Sequence, residues 1–194
     1  PWDATESEIG GLQPGVVARR GGALPRCIVP ERTAYLAAAM DMGKQWCYWT
    51  VVALTEDRLL HVVDYGTLAV PSDQMRLELA LDGTMRAFAD ICGSQFKTAD
   101  GEVVVPGAVL LDSGWESNAV YEFCRRQQTR FFPSKGRGVS EQGRGYVRPE
   151  RPGSGIVRIG DGWHVTRLDV SGVLLVEFDS DRWKKWVHDG FDAP

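Results

Sequence analysis

Apolar and polar positions fall into blocks along this chain, and the first blocks read as strands. Residues 31–41 run apolar from Ala34 to Met40 and then stop on a carboxylate, Asp41. Such a run predicts a buried central strand that delivers Asp41 at the sheet edge. Residues 45–54 and 59–65 are β-rich and separated by the turn Glu56-Asp57-Arg58, so three strands form an antiparallel meander that Gly66 closes. Pro71-Ser72-Asp73 has the form of a helix start, and Met75, Leu79, Met85, Phe88, Ala89 and Cys92 recur at near-helical spacing until Gly93. Residues 103–112 repeat the opening pattern, ending an apolar run on Asp112 before Ser113-Gly114 turns the chain into a helix over 116–128. In that helix Val120, Tyr121, Phe123 and Cys124 face inward, and Arg125-Arg126 sit near its C-terminus, where cations suit the dipole. A short fifth strand is predicted at 129–132. Residues 133–155 hold six of the 22 glycines and no apolar run, which predicts a mobile loop. β-Rich stretches at 156–159, 163–169 and 173–178 follow, the first two joined by the hairpin turn Gly160-Asp161-Gly162. Residues 180–187 read as a terminal helix with Asp179 or Asp181 at its start.

A helix between the third strand and the strand ending at Asp112 makes a crossover, and one that passes over the meander lays the new strand beside the first. Parallel neighbours bring both C-terminal ends to one edge, where sites of open α/β sheets gather. Asp41 and Asp112 then face each other. Two carboxylates at 4 Å repel by roughly 4 kcal/mol at an effective dielectric near 20, and a divalent cation is the natural remedy.

Composition narrows the class. A chain of 194 residues, 43% hydrophobic and 25% charged, is expected to form one globular domain over 31–194, preceded by a Gly- and Pro-rich linker or extended arm over 1–30. It begins Pro-Trp-Asp, as a piece of a longer chain would. Cys27, Cys47, Cys92 and Cys124 are widely spaced and lack neighbouring histidines, which points to reduced, mostly buried thiols rather than zinc ligands or disulfides. No apolar run is long enough for a membrane span and no basic-then-apolar leader opens the sequence, so a cytosolic location is expected. The net charge is −4, yet residues 125–158 carry nine basic and two acidic side chains, a local +7 that leaves −11 elsewhere. That division suits a protein that grips phosphates in one place and holds cations in another.

The order of these elements is similar to the ribonuclease H-like fold. Several segments more narrowly resemble the nuclease domain of lambda-type phage terminase large subunits: Ala39-Met40-Asp41-Met42-Gly43, His61-Val62-Val63-Asp64-Tyr65-Gly66, Asp112-Ser113-Gly114-Trp115, Val120-Tyr121-Glu122-Phe123-Cys124-Arg125, Pro133-Ser134-Lys135-Gly136 and Trp183-Lys184. The resemblance implies a mixed α/β sheet, with three antiparallel strands followed by parallel ones, flanked by helices and carrying an extra C-terminal β-hairpin. It also implies two-metal-ion cleavage of double-stranded, concatemeric DNA, with Mg²⁺ or Mn²⁺ on Asp41, Asp112 and a third acid, Asp181 or Asp179, and Asp181 slightly favoured. Lys135, Arg137, Arg144, Arg148 and Arg151 would lie along the DNA backbone on a flexible loop. No G-x-x-x-x-G-K-[ST] occurs, so the ATPase of such a motor would lie upstream in the full-length chain. The small terminase subunit and the portal are the partners implied, and the host cytoplasm the location.

Plainer readings stand beside these. Asp41 can be a turn residue before Gly43, Asp64 a turn acid, and Asp179 and Asp181 helix caps. Glu122 and the loop arginines can be solvated, His61, His164 and His188 structural or exposed, and most tryptophans core. Two rival functions keep the fold or its sheet: a junction resolvase or integrase-type nuclease, and a non-catalytic DNA-binding assembly module.

Overall fold

The computed structural model describes residues 13–22, 24–127, 129–139, 145–151, 153, 155–169 and 171–192. A short helix α1 (Pro14–Arg19) precedes the meander of β1 (Thr33–Asp41), β2 (Trp46–Thr55) and β3 (Leu60–Ala69). Helix α2 (Leu77–Ser94) then leads to β4 (Ala108–Asp112), and α3 (Ser117–Gln127) to β5 (Phe131–Arg137). Strands β6 (Ile156–Ile159), β7 (Trp163–Arg167) and β8 (Leu174–Asp179) follow, and α4 (Ser180–Asp192) closes the chain. One eight-stranded sheet results, in the order β3-β2-β1-β4-β5-β8-β7-β6. The pairs β1–β4, β4–β5 and β5–β8 are parallel and the others antiparallel, which is the mixed sheet of a ribonuclease H-like fold. The predicted hairpin is β6–β7, added to the same sheet through β8. Among the described residues no helix is long and apolar enough to cross a membrane.

Alternation along the strands builds the core on one face. Leu36, Ala38 and Met40 of β1, Cys47, Trp49, Val51 and Ala53 of β2, and Val109 and Leu111 of β4 are buried beneath α2 and α3. Helix α2 answers with Ala80, Leu81, Met85, Phe88 and Cys92, and α3 with Val120, Phe123 and Cys124. Phe88 tilts onto Trp49 with ring centroids 5.9 Å apart, and Phe123 meets Phe131 edge-on at 5.7 Å. Each buried ring of this kind contributes about 1.5–3 kcal/mol. The opposite face of the meander stays open, with Tyr35, Tyr48, Val62 and Tyr65 exposed. The Ala34–Met40 run therefore reads as continuous only because alanine suits both faces of β1.

Several boundaries move, each for a local reason. Strand β3 continues through Gly66 to Ala69, because a Cβ at Gly66 would come within 2.7 Å of the Trp49 indole: this glycine makes room for a cross-strand ring and is not a stop. Helix α2 begins only after Arg76, since the Ser72 hydroxyl donates to the Lys44 carbonyl at 3.1 Å and so is not a cap. Strand β4 begins at Ala108, past Pro106, which lacks the N–H a ladder needs. The largest change is at β5. It runs to Arg137, so Lys135 and Arg137 belong to a strand and not to a mobile loop. Pro133 is tolerated there because pairing with β8 starts only at Ser134↔Val176.

Asp64 is no turn acid. It is 2% exposed in mid-β3, bonded by Arg26, the Tyr65 N–H at 2.9 Å, the Gln95 amide at 3.0 Å and the Cys27 thiol at 3.2 Å. In the segment read as an arm, residues 1–12 lie outside the described residues, whereas Cys27 and Val29 are tied by their backbone N–H groups to Val63 and Lys97. All four cysteines are free thiols, with Cys47, Cys92 and Cys124 buried and Cys27 half-buried.

Candidate functional site

The four parallel strands β1, β4, β5 and β8 end at one edge of the sheet, and acids or bases stand at most of those ends. Asp41 is the last residue of β1 and Asp112 the last of β4. The register pairs Met40 with Leu111, so the two acids occupy the next rung on neighbouring strands, whose backbones lie about 4.8 Å apart. Both stand on the face opposite the buried Met40 and Leu111. Asp41 is exposed and faces Tyr48 of β2; beside it the Cys47 thiol is pushed up by burial, with the Asp41 charge adding to the shift. Asp112 is half-buried, pairs in register with Ser134, and accepts the Gly114 N–H at 3.2 Å, the turn that redirects the chain into α3.

The other two acids are held differently. Asp179 ends β8 opposite Arg137, and its Oδ1 accepts the Arg182 N–H at 3.0 Å, so it caps α4. Asp181, in the first turn of α4, accepts the Val139 N–H at 2.8 Å. Gly138 permits that contact, since a Cβ there would lie 2.8 Å from both the Asp181 Oδ1 and the Ser180 Oγ. Asp112, Ser134 and Val176 share a rung, which puts Asp179 two strands across and three residues further along, on the order of 14 Å from Asp112 backbone to backbone. Register thus brings Asp41 and Asp112 together and leaves Asp179 and Asp181 beside β5. Among the described residues no group of three or more Asp, Glu, His or Cys side chains is arranged to hold a metal ion.

The basic residues are likewise divided. Lys135 pairs in register with Glu177, and Arg137 donates through Nε to Glu177 at 2.9 Å. Arg148 and Arg151 are exposed on the segment 145–151, and Arg144 lies outside the described residues. Pattern reading missed a buried polar chain here. Glu177 also meets His164 Nε2 at 3.2 Å, and His164 Nδ1 is 3.0 Å from the Tyr146 hydroxyl. The one hint was an acid inside the otherwise apolar run Leu174-Leu175-Val176-Glu177-Phe178.

A family model for the endonuclease domain of the terminase large subunit gpA matches residues 1–190. The chain belongs to that family. No curated protein matches it in sequence. Among solved structures, an exopolyphosphatase from Cytophaga hutchinsonii is 14% identical, aligned over 52% of this chain and 34% of its own, with a TM-score of 0.34. A Ppx/GppA family member from Aquifex aeolicus is 10% identical over 51% of this chain and 35% of its own, at 0.32. The chain thus spans about a third of the length of either structure. Asp41 and Asp112 stand at the C-terminal ends of parallel strands, the edge where sites of open α/β sheets gather.

Proposed function

We propose that this terminase nuclease domain hydrolyses double-stranded DNA with a divalent cation held by Asp41 and Asp112. The observation carrying the reading is that two like-charged side chains end neighbouring parallel strands on the same face and at the same rung. Carboxylate oxygens are hard donors, and their mutual repulsion is relieved by Mg²⁺ or Mn²⁺. Such a cation supplies water activation and charge neutralisation at the scissile phosphate. The chain's own work is to fix the two carboxylates: Asp112 through the Gly114 N–H, and both through the strand pairing that precedes them.

A second ion calls for a third acid. Asp181 is our first choice, because it would need to release only the Val139 N–H, whereas Asp179 caps α4. Lys135 and the exposed Arg148 and Arg151 would contact phosphates; Arg137 is already committed to Glu177. In the packaging setting of the family, the substrate is concatemeric viral DNA in the host cytoplasm. An ATPase upstream in the full-length chain, the small terminase subunit and the portal would be its partners.

The test is nicking of supercoiled plasmid in Mn²⁺ by the wild type and by Asp112→Asn. Loss of nicking in the variant is expected, and equal nicking by both would refute the assignment. Calorimetric titration with Mn²⁺ separates a cation site from a non-catalytic module: Asp41→Ala abolishes binding only if the acids hold the ion.

A further inference from the structure

On the face that carries α3, Lys135, Glu177 and His164 share one rung across β5, β8 and β7. His164 is 9% exposed, and its two ring nitrogens are both engaged, Nε2 with Glu177 at 3.2 Å and Nδ1 with the Tyr146 hydroxyl at 3.0 Å. The Tyr146 and His164 rings also lie together, with centroids 5.5 Å apart. Glu177 is fixed in turn by Arg137. The Tyr146 hydroxyl is pushed up by burial, lowered by Arg148 and raised further by the charges of Glu177 and Asp179.

Tyr146 belongs to the segment 145–151, which has no strand or helix of its own and exposes Val147, Arg148 and Arg151. Among the described residues, the bond from Tyr146 to His164 is the hydrogen bond that ties this segment to the sheet. Through Tyr146 the segment sits beside His164 and Glu177, at the sheet edge where Asp41 and Asp112 end their strands but on the opposite face.

We propose that Tyr146 and His164 form a latch that fixes the segment 145–151 on the sheet, so that Arg148 and Arg151 meet a DNA backbone already ordered. His164 is then a positioning residue, acting on DNA only through Tyr146. The inference rests on the DNA-cleaving reading above, since it takes these arginines as phosphate contacts. A segment ordered before binding does not lose that freedom on binding, which strengthens affinity without adding a contact.

Tyr146→Phe removes the hydroxyl and keeps the ring, so the fold stays intact. Hydrogen exchange of the free domain and duplex-DNA affinity across a salt series are measured for this variant, for Arg148→Ala/Arg151→Ala, and for the triple variant. We expect Tyr146→Phe to speed exchange across 145–151 about tenfold while β1 and β4 keep their protection. Duplex affinity should fall about 3- to 10-fold, the worth of one hydrogen bond. In Arg148→Ala/Arg151→Ala, by contrast, the salt slope should flatten by one to two, as about two phosphate contacts are lost. The triple variant should bind DNA no worse than Arg148→Ala/Arg151→Ala, because the latch acts only through those arginines. Unchanged exchange in Tyr146→Phe overturns the latch, and faster exchange with unchanged affinity, or full additivity in the triple variant, overturns its role in binding. An unchanged salt slope in Arg148→Ala/Arg151→Ala refutes the phosphate contacts, whereas failure of the nuclease reading itself shows separately, as absent Mn²⁺ binding at Asp41 and Asp112.

Discussion

Two places at the same sheet edge treat charge in opposite ways. At the ends of β1 and β4, like stands beside like: Asp41 next to Asp112. Across β5 and β8, opposite signs meet, Arg137 on Glu177, and the His164 ring bonds Glu177 from β7. Buried Asp64, gripped by Arg26, follows the second pattern. A cluster of opposite charges satisfies itself and holds elements together, whereas two like charges side by side repel. On the reading proposed above, the first arrangement would hold a cation and the second would fasten a strand or a loop.

The sharpest test of that contrast is activity. Asp112→Asn should lower the rate of Mn²⁺-dependent plasmid cleavage by more than about 100-fold, the upper end of what losing an outer-shell partner of a metal costs. A melting temperature that stays level in the cation-free variant would show that the loss is not unfolding. Asp64→Ala should do the reverse: it leaves the Tyr65 N–H, the Gln95 amide and the Cys27 thiol without their acceptor in a packed region, costing about 1–3 kcal/mol in urea melts. A cost under about 1 kcal/mol would break the claim that clusters of opposite charges are structural here.

Cation binding should separate the two places next. At a Mn²⁺ concentration of about 100 times its dissociation constant, the wild type should gain about 2.7 kcal/mol, and Asp41→Ala should gain none. The buried thiols add a pH effect. Burial pushes Cys92 and Cys124 from the usual 9.0 up to about 12, so each is neutral in the fold at pH values where the unfolded chain ionises. Their contribution is fully present below about pH 9 and is lost as pH rises toward about 12. The stability read from urea melts should fall more steeply with pH across that window for the wild type than for Cys92→Ala/Cys124→Ala. Smallest of all, Asp179→Ala should cost about 1 kcal/mol as a lost cap and leave cleavage nearly unchanged; a large loss of activity would instead make Asp179 the third ligand.

Much of this fold was legible in the pattern of residues. The meander, the crossover that sets β4 beside β1, and the helix bearing Phe123 all follow from period and run length, because those strands and helices bury one face each. Asp41 and Asp112 stood out for the same reason, as acids that end apolar runs. What misled was punctuation. Gly66 and Pro133 look like breaks, but one accommodates Trp49 and the other precedes the start of pairing with β8, facts that depend on neighbours distant in sequence. The glycine-rich stretch after Pro133 hid a strand, and with it the difference between Lys135 and Arg137 in the sheet and Arg148 and Arg151 outside it.

Taken alone, the order of residues determined which segments bury an apolar face and which acids emerge at strand ends, since both are properties of short windows. It could not determine what each acid meets. That Asp41 neighbours Asp112, that Asp181 accepts the Val139 N–H, and that His164 joins Tyr146 to Glu177 were decided only when the sheet assembled. The physical reason is that electrostatic and hydrogen-bonding partnership falls off within a few ångströms, and register across strands sets those distances.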